Sequence, residues 1–128
     1  MTDAFRPDGL PEPRTDLEAA VVDFLIDLFE AYPTWGTSTG YHPVDGRWPD
    51  LSEAGRVARL ATFARHRERL EGFAADELSA DASVDRSILL EEIDKVVFGE
   101  EVLRPEAWDA LEIVYLMGGG LFGVLSRE

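Results

Sequence analysis

The chain has 128 residues, 45% hydrophobic and 30% charged, which suits one globular domain with a real core and not a disordered chain. Its net charge is −14, from 12 Lys plus Arg against 26 Asp plus Glu, a field that repels phosphate backbones and anionic lipid and so excludes nucleic acid and the membrane surface as partners. With no cysteine there is no disulfide, thiolate metal site or cysteine nucleophile.

Residues 1–14 read as a flexible arm, because Pro7, Pro11 and Pro13 deny it regular hydrogen bonding. A helical domain is expected over residues 15–128. It opens with a capping box: Thr15 can cap the amide three residues on, and Glu18 can reach back to the Thr15 amide. Leu17, Ala20, Val21, Phe24, Leu25, Leu28 and Phe29 then recur at three- and four-residue spacing, which places them on one helix face. Pro33 disfavours helix at Tyr32 and ends this element.

Residues 33–51 read as a long irregular loop holding Trp35, Tyr41, His42 and Trp48. Loops of that length are uncommon in compact domains, and aromatic plugs are the expected means of holding this one down. Ser52 is an N-cap for a second helix to about residue 77, with Val57, Leu60, Ala61, Ala64, Leu70, Phe73 and Ala74 as its inner stripe. Arg59, Arg65 and Arg69 fall on the opposite, solvated side. Ser79 to Ser83 reads as a polar turn. A third helix follows over about 84–103, packing Ile88, Leu89, Ile93, Val96 and Val97. Pro105 suits the first turn of a fourth helix, with Trp108, Leu111, Val114 and Tyr115 facing inward and Gly118 to Gly120 breaking it. The fold class expected is therefore all-α, a bundle of long helices with one long irregular loop.

No targeting segment is read, since Met1 to Thr15 lacks an apolar run. The apolar stretch Ile113 to Leu125 would span only about 20 Å as a helix, too short for a membrane. The cytoplasm is the expected compartment. The chain remains apolar almost to Glu128, so a core continuing past that residue is expected.

No constellation supplies a complete active site. The zinc pattern His-Glu-x-x-His and the di-iron pattern Glu-x-x-His are absent, as is a phosphate loop ending in Gly-Lys. His42 with Asp45 could serve as an acid–base pair, but a loop histidine bonded to backbone is the favoured reading. His66, among Arg65, Arg67 and Arg69, reads as a surface residue. Glu91, Glu92 and Asp94 point in different directions on a helix and read as a solvated face. No catalytic, cofactor-binding or metal-ligating residue is assigned.

Three segments together resemble the beginning of the bacterial and archaeal domain-of-unknown-function 885 (DUF885) family: FLIDLFEAYPTWGTSTGYHPVDGRWPDLS, VDRSILLEEIDKVVFGEEVLRPEAWDALEIVY and GGGLFGVLSRE. The match runs through Tyr32, Pro33, Gly40, His42, Asp45, Asp50, Leu51 and Ser52, then Asp85, Trp108 and Tyr115, and covers roughly residues 17–128. Members of that family are longer, mostly helical and zinc peptidase-like. Their zinc motif lies far downstream of this region. The resemblance therefore implies a structural N-terminal helical segment that is inactive alone and binds no zinc by itself, zinc belonging only to a longer family member. A different reading, from the apolar residues 111–125, is a free-standing interaction module. Either way those residues are expected to meet a second copy or a missing C-terminal domain.

Overall fold

The computed structural model describes residues 8–126. Residues 1–7 of the expected arm, and the final two residues, lie outside it. Among the described residues the architecture is all-α: α1 (Asp16–Ala31), α2 (Pro33–Thr39), α3 (Glu53–Glu71), α4 (Ala80–Phe98) and α5 (Ala110–Leu125). Helix α1 packs on α3 and α4, α3 packs on α4, and α5 rests chiefly on α2.

The helix starts follow local chemistry. Thr15 Oγ1 accepts from the Glu18 amide at 3.1 Å, and Glu18 reaches back one residue further than expected, to the Arg14 amide at 2.6 Å. Ser52 caps the Gly55 amide at 3.1 Å. Ser79 caps the Ala82 amide at 3.2 Å, so α4 begins at Ala80 and the residues read as a polar turn are its first turn. Asp109 caps α5 through the Leu111 amide at 3.0 Å.

The stretch 33–51 is less irregular than expected. Proline is barred from helix interiors but suits the first position, so the Pro33 that ends α1 also starts α2. Gly40 closes α2 in the left-handed region at φ 93°, and His42–Val44 forms a single 3₁₀ turn. Phe29, Tyr41 and Val44 make a small cluster against which Leu10 is half-buried, so the arm touches the body there. Tyr41 packs on Phe29 with ring centroids 5.1 Å apart, as an aromatic plug should.

The main core joins Leu17, Ala20, Phe24 and Leu28 of α1 to Phe63 and Leu70 of α3 and Ile93 of α4. Each large side chain fully buried there contributes roughly 1.5–3 kcal/mol. The buried face of α3 is rotated from the stripe expected. Val57 is 54% exposed and Ala61, Ala64 and Ala74 are also outside, whereas Phe63, His66 and Leu70 are buried. Alanines bury little area, so the face carrying Phe63 and Leu70 turned inward. Ile88 of α4 is likewise 57% exposed.

The largest departure is the C-terminal part. Gly118, Gly119 and Gly120 do not break α5, which runs through them to Leu125. Gly120 instead permits close approach: a Cβ there would lie 3.0 Å from Thr34 and from the Trp48 ring. Trp108, Leu111, Val114 and Tyr115, expected to face inward, are 57–71% exposed, and α5 has no buried residue. Leu111, Val114 and Tyr115 form with Gly118, Leu121, Phe122 and Leu125 one exposed stripe at helical spacing, opposite the side on which Gly120 meets Trp48. Among the described residues no single helix is long and apolar enough to cross a membrane.

Candidate functional site

A cavity of about 310 Å³ lies where α2, the end of α4 and α5 meet. Its floor is built by a departure from regular helix. After Phe98 the chain widens into a π turn, Gly99–Leu103, closed by the Arg104 amide on the Gly99 carbonyl at 2.9 Å. Such turns recur at functional sites. Arg104, at φ 43°, is the one non-glycine described residue in the left-handed region.

The π turn aims Glu100 at α1 and α3. The Tyr32 hydroxyl donates to Glu100 Oε1 at 2.5 Å, and the Arg59 guanidinium donates to both Glu100 oxygens at 2.6 and 3.0 Å. Arg59 also donates to the Asp50 carbonyl and stands over the Tyr32 ring at 5.7 Å. The Arg59 and Glu100 side chains are each only 11% exposed. Arg59 is thus not on a solvated face, as expected from sequence, but bridges the end of α1, the start of α3 and the end of α4.

Burial is the largest influence on the Tyr32 phenol, followed by its bond to Glu100 and that residue's negative charge; together they raise it well above the ordinary tyrosine range. Burial opposes ionisation of Glu100, but hydrogen bonds from Arg59 and Tyr32 and the charges of Arg59 and Arg56 outweigh it and hold the carboxyl below its usual range. A phenol kept protonated is no nucleophile near neutral pH, and a carboxylate covered by a guanidinium is a poor base. The network is a brace beneath the cavity.

The two histidines lie elsewhere. His42 Nδ1 is 2.9 Å from Asp45 Oδ2, so the pair named from sequence does form, on the surface. Asp45 also accepts from Thr37 Oγ1 at 2.8 Å, which ties the loop to α2. His66 is not a surface residue: it is 4% exposed, its Nε2 is 2.7 Å from Asp27 Oδ2, and its ring meets Phe24 edge-on at 5.5 Å. Asp27 also takes Arg65 at 2.9 Å, and Asp23 takes Arg69 at 2.6 Å, a polar seam along α1 and α3. Glu91 and Asp94 are exposed, and Asp94 pairs with Arg67, whereas Glu92 is half-buried at the cavity edge and pairs with Lys95 at 3.1 Å.

Sequence reasoning missed Arg59, Glu100 and Tyr32 as a unit. A signal existed for two of the misplacements. Arg59 lies four residues before Phe63, and His66 lies three after it and four before Leu70, so both share the face of the buried pair.

Comparison with protein-family models, with curated proteins and with solved structures finds no match to this chain.

Proposed function

We propose that this chain is the N-terminal helical wall of a larger DUF885-like, zinc peptidase-like protein, structural and without an active site of its own. The observation that carries the reading is the exposed apolar stripe of α5. Leu111, Val114, Tyr115, Leu121, Phe122 and Leu125 are 57–73% exposed in one continuous row. Patches of several hundred Å² of this kind mark surfaces made to be covered. Following helices of a parent protein would cover it.

The residues that carry the family resemblance support the reading through their roles. Pro33 starts α2, Gly40 ends it, Asp50 accepts from the Ser52 amide at 2.9 Å, and Ser52 caps α3. Trp108 Nε1 donates to the Leu103 carbonyl at 2.7 Å. Caps, turns and braces of this kind support a structural role for the motif.

The test compares this chain with a product of the same reading frame extended past codon 128. The extended product is expected to carry a His-Glu-x-x-His-like motif, bind zinc, hydrolyse peptides and protect the α5 amides from hydrogen exchange. This chain alone is expected to do none of these. Stoichiometric zinc lost in His42→Ala, or peptide hydrolysis by this chain alone, would overturn the reading.

The same stripe supports a second reading, a self-associating helical module. Its large apolar side chains are more than half exposed in one row, and two-fold pairing is the commonest way for such a face to be covered. Salt screens the mutual repulsion of two acidic chains beyond about 10 Å. Dimerisation should therefore strengthen with ionic strength and weaken in Phe122→Glu. A monomer by sedimentation at high protein concentration, in low and high salt alike, rules this second reading out.

A further inference from the structure

Two properties of the cavity above the Tyr32–Arg59–Glu100 brace select a ligand. The first is its wall. Trp35, Leu51, Val96, Ile113 and Leu116 make it mainly apolar, and about 310 Å³ falls at the small end of the range in which proteins hold organic molecules.

The second is its charge. Glu92, Glu100, Glu106 and Glu112 line it against only Arg59 and Lys95. Both cations are already matched, Arg59 by Glu100 at 2.6 Å and Lys95 by Glu92 at 3.1 Å. What remains is negative. Glu106 has only Arg104 at 3.5 Å, and Glu112 has no ion-pair partner among the described residues. The two acids flank the start of α5, Glu106 in the preceding 3₁₀ turn and Glu112 in the first helical turn.

We propose that this cavity binds a small organic cation: a primary ammonium carried on an apolar body. The ammonium pairs with the carboxylates of Glu106 and Glu112, and the apolar body lies against Trp35 and Leu116. An anion of the same shape is rejected. It would meet Glu112, which has no counter-charge among the described residues, and Glu106, whose partner Arg104 at 3.5 Å is shared with Glu53, and the Arg59 fork is occupied by Glu100 and the Asp50 carbonyl. The net charge of −14 adds a long-range preference of the same sign. This inference is independent of the parent protein proposed above.

Isothermal titration of the full chain tests it, with three probes of one shape: phenethylammonium chloride, neutral phenethyl alcohol and anionic hydrocinnamate, plus hexylammonium chloride as a second amine. The expected result is one saturable site for an amine, at least about tenfold tighter than for the alcohol (a factor worth ~1.4 kcal/mol), and no binding of hydrocinnamate. Glu112→Gln should bring the amine toward the alcohol and leave the alcohol unchanged. Leu116→Trp, which fills the cavity, should abolish both while the circular dichroism stays helical. Equal affinity for amine and alcohol, binding of hydrocinnamate, or no saturable heat with either amine would overturn the proposal. So would full amine affinity in the double variant Glu106→Gln, Glu112→Gln, its helical circular dichroism checked alongside.

Discussion

Helices α1 and α5 have the same length, 16 residues, and both are rich in large apolar side chains, yet α1 contributes six buried residues and α5 none. The difference is in how the polar residues are arranged. Asp16, Asp23, Asp27 and Glu30 mark a polar side for α1, part of it paired with cations of α3, and the apolar circumference turns to α2, α3 and α4. Helix α5 has a single charged residue, Glu112, and no polar side. It is apolar all round but rests chiefly on α2, the Trp48 ring and the preceding turn. Burial thus depends on available partner surface as much as on hydrophobicity.

That contrast is sharpest for two phenylalanines. Phe63 is fully buried, and Phe63→Ala should cost about 3–5 kcal/mol by urea denaturation. Phe122 is 72% exposed, and in dilute protein Phe122→Ala should change stability by less than about 0.5 kcal/mol. Equal losses in the two variants would mean that α5 is as well packed as α3, and the comparison would fail.

The next effect concerns the brace that closes the core side. Glu100→Gln leaves Arg59 largely buried without its counter-charge and should cost roughly 2–3 kcal/mol near neutral pH. The carboxyl is held below its usual range when folded, so its stabilisation is complete above the unfolded carboxylate range of about 4.3 and is lost as pH falls through the lower folded value. Wild type and variant should therefore converge in stability as the solution is acidified. A gap that stays constant from neutral to strongly acid pH would contradict the brace.

Two glycines give a smaller contrast of opposite sign. A Cβ on Gly36 would lie 2.7 Å from Val44 Cγ2 and 2.9 Å from Phe29 Cβ, so Gly36→Ala should cost about 1–3 kcal/mol. A Cβ on Gly118 of α5 meets nothing within 4 Å, and alanine is the better helix former there. Gly118→Ala should stabilise by about 1 kcal/mol or less and raise the melting temperature. A loss from Gly118→Ala in dilute protein would show that something already packs against the stripe.

The caps at Thr15 and Ser52, the proline break after Tyr32 and the core face of α1 were legible in the chain, because each rests on residues no more than four positions apart. The start of α4 was legible as well, had Ser79 been weighed as a cap. The face of α3 was harder. Its alanines and Val57 compete with Phe63 for the inner face, and only once Phe63 and Leu70 are known to be buried does their spacing place Arg59 and His66 beside them. The brace itself was out of reach, since Arg59 and Glu100 are 41 positions apart and meet only through a π turn that no residue pattern signals.

Local backbone chemistry in the sequence thus determined where helices begin and that the described residues are all-α, because caps, prolines and helix propensity act within a turn. Tertiary structure decided which charged groups leave water and which apolar helix is left uncovered. A guanidinium can be buried only where a distant carboxylate arrives to match it, and an apolar helix is covered only where other elements leave a surface to receive it.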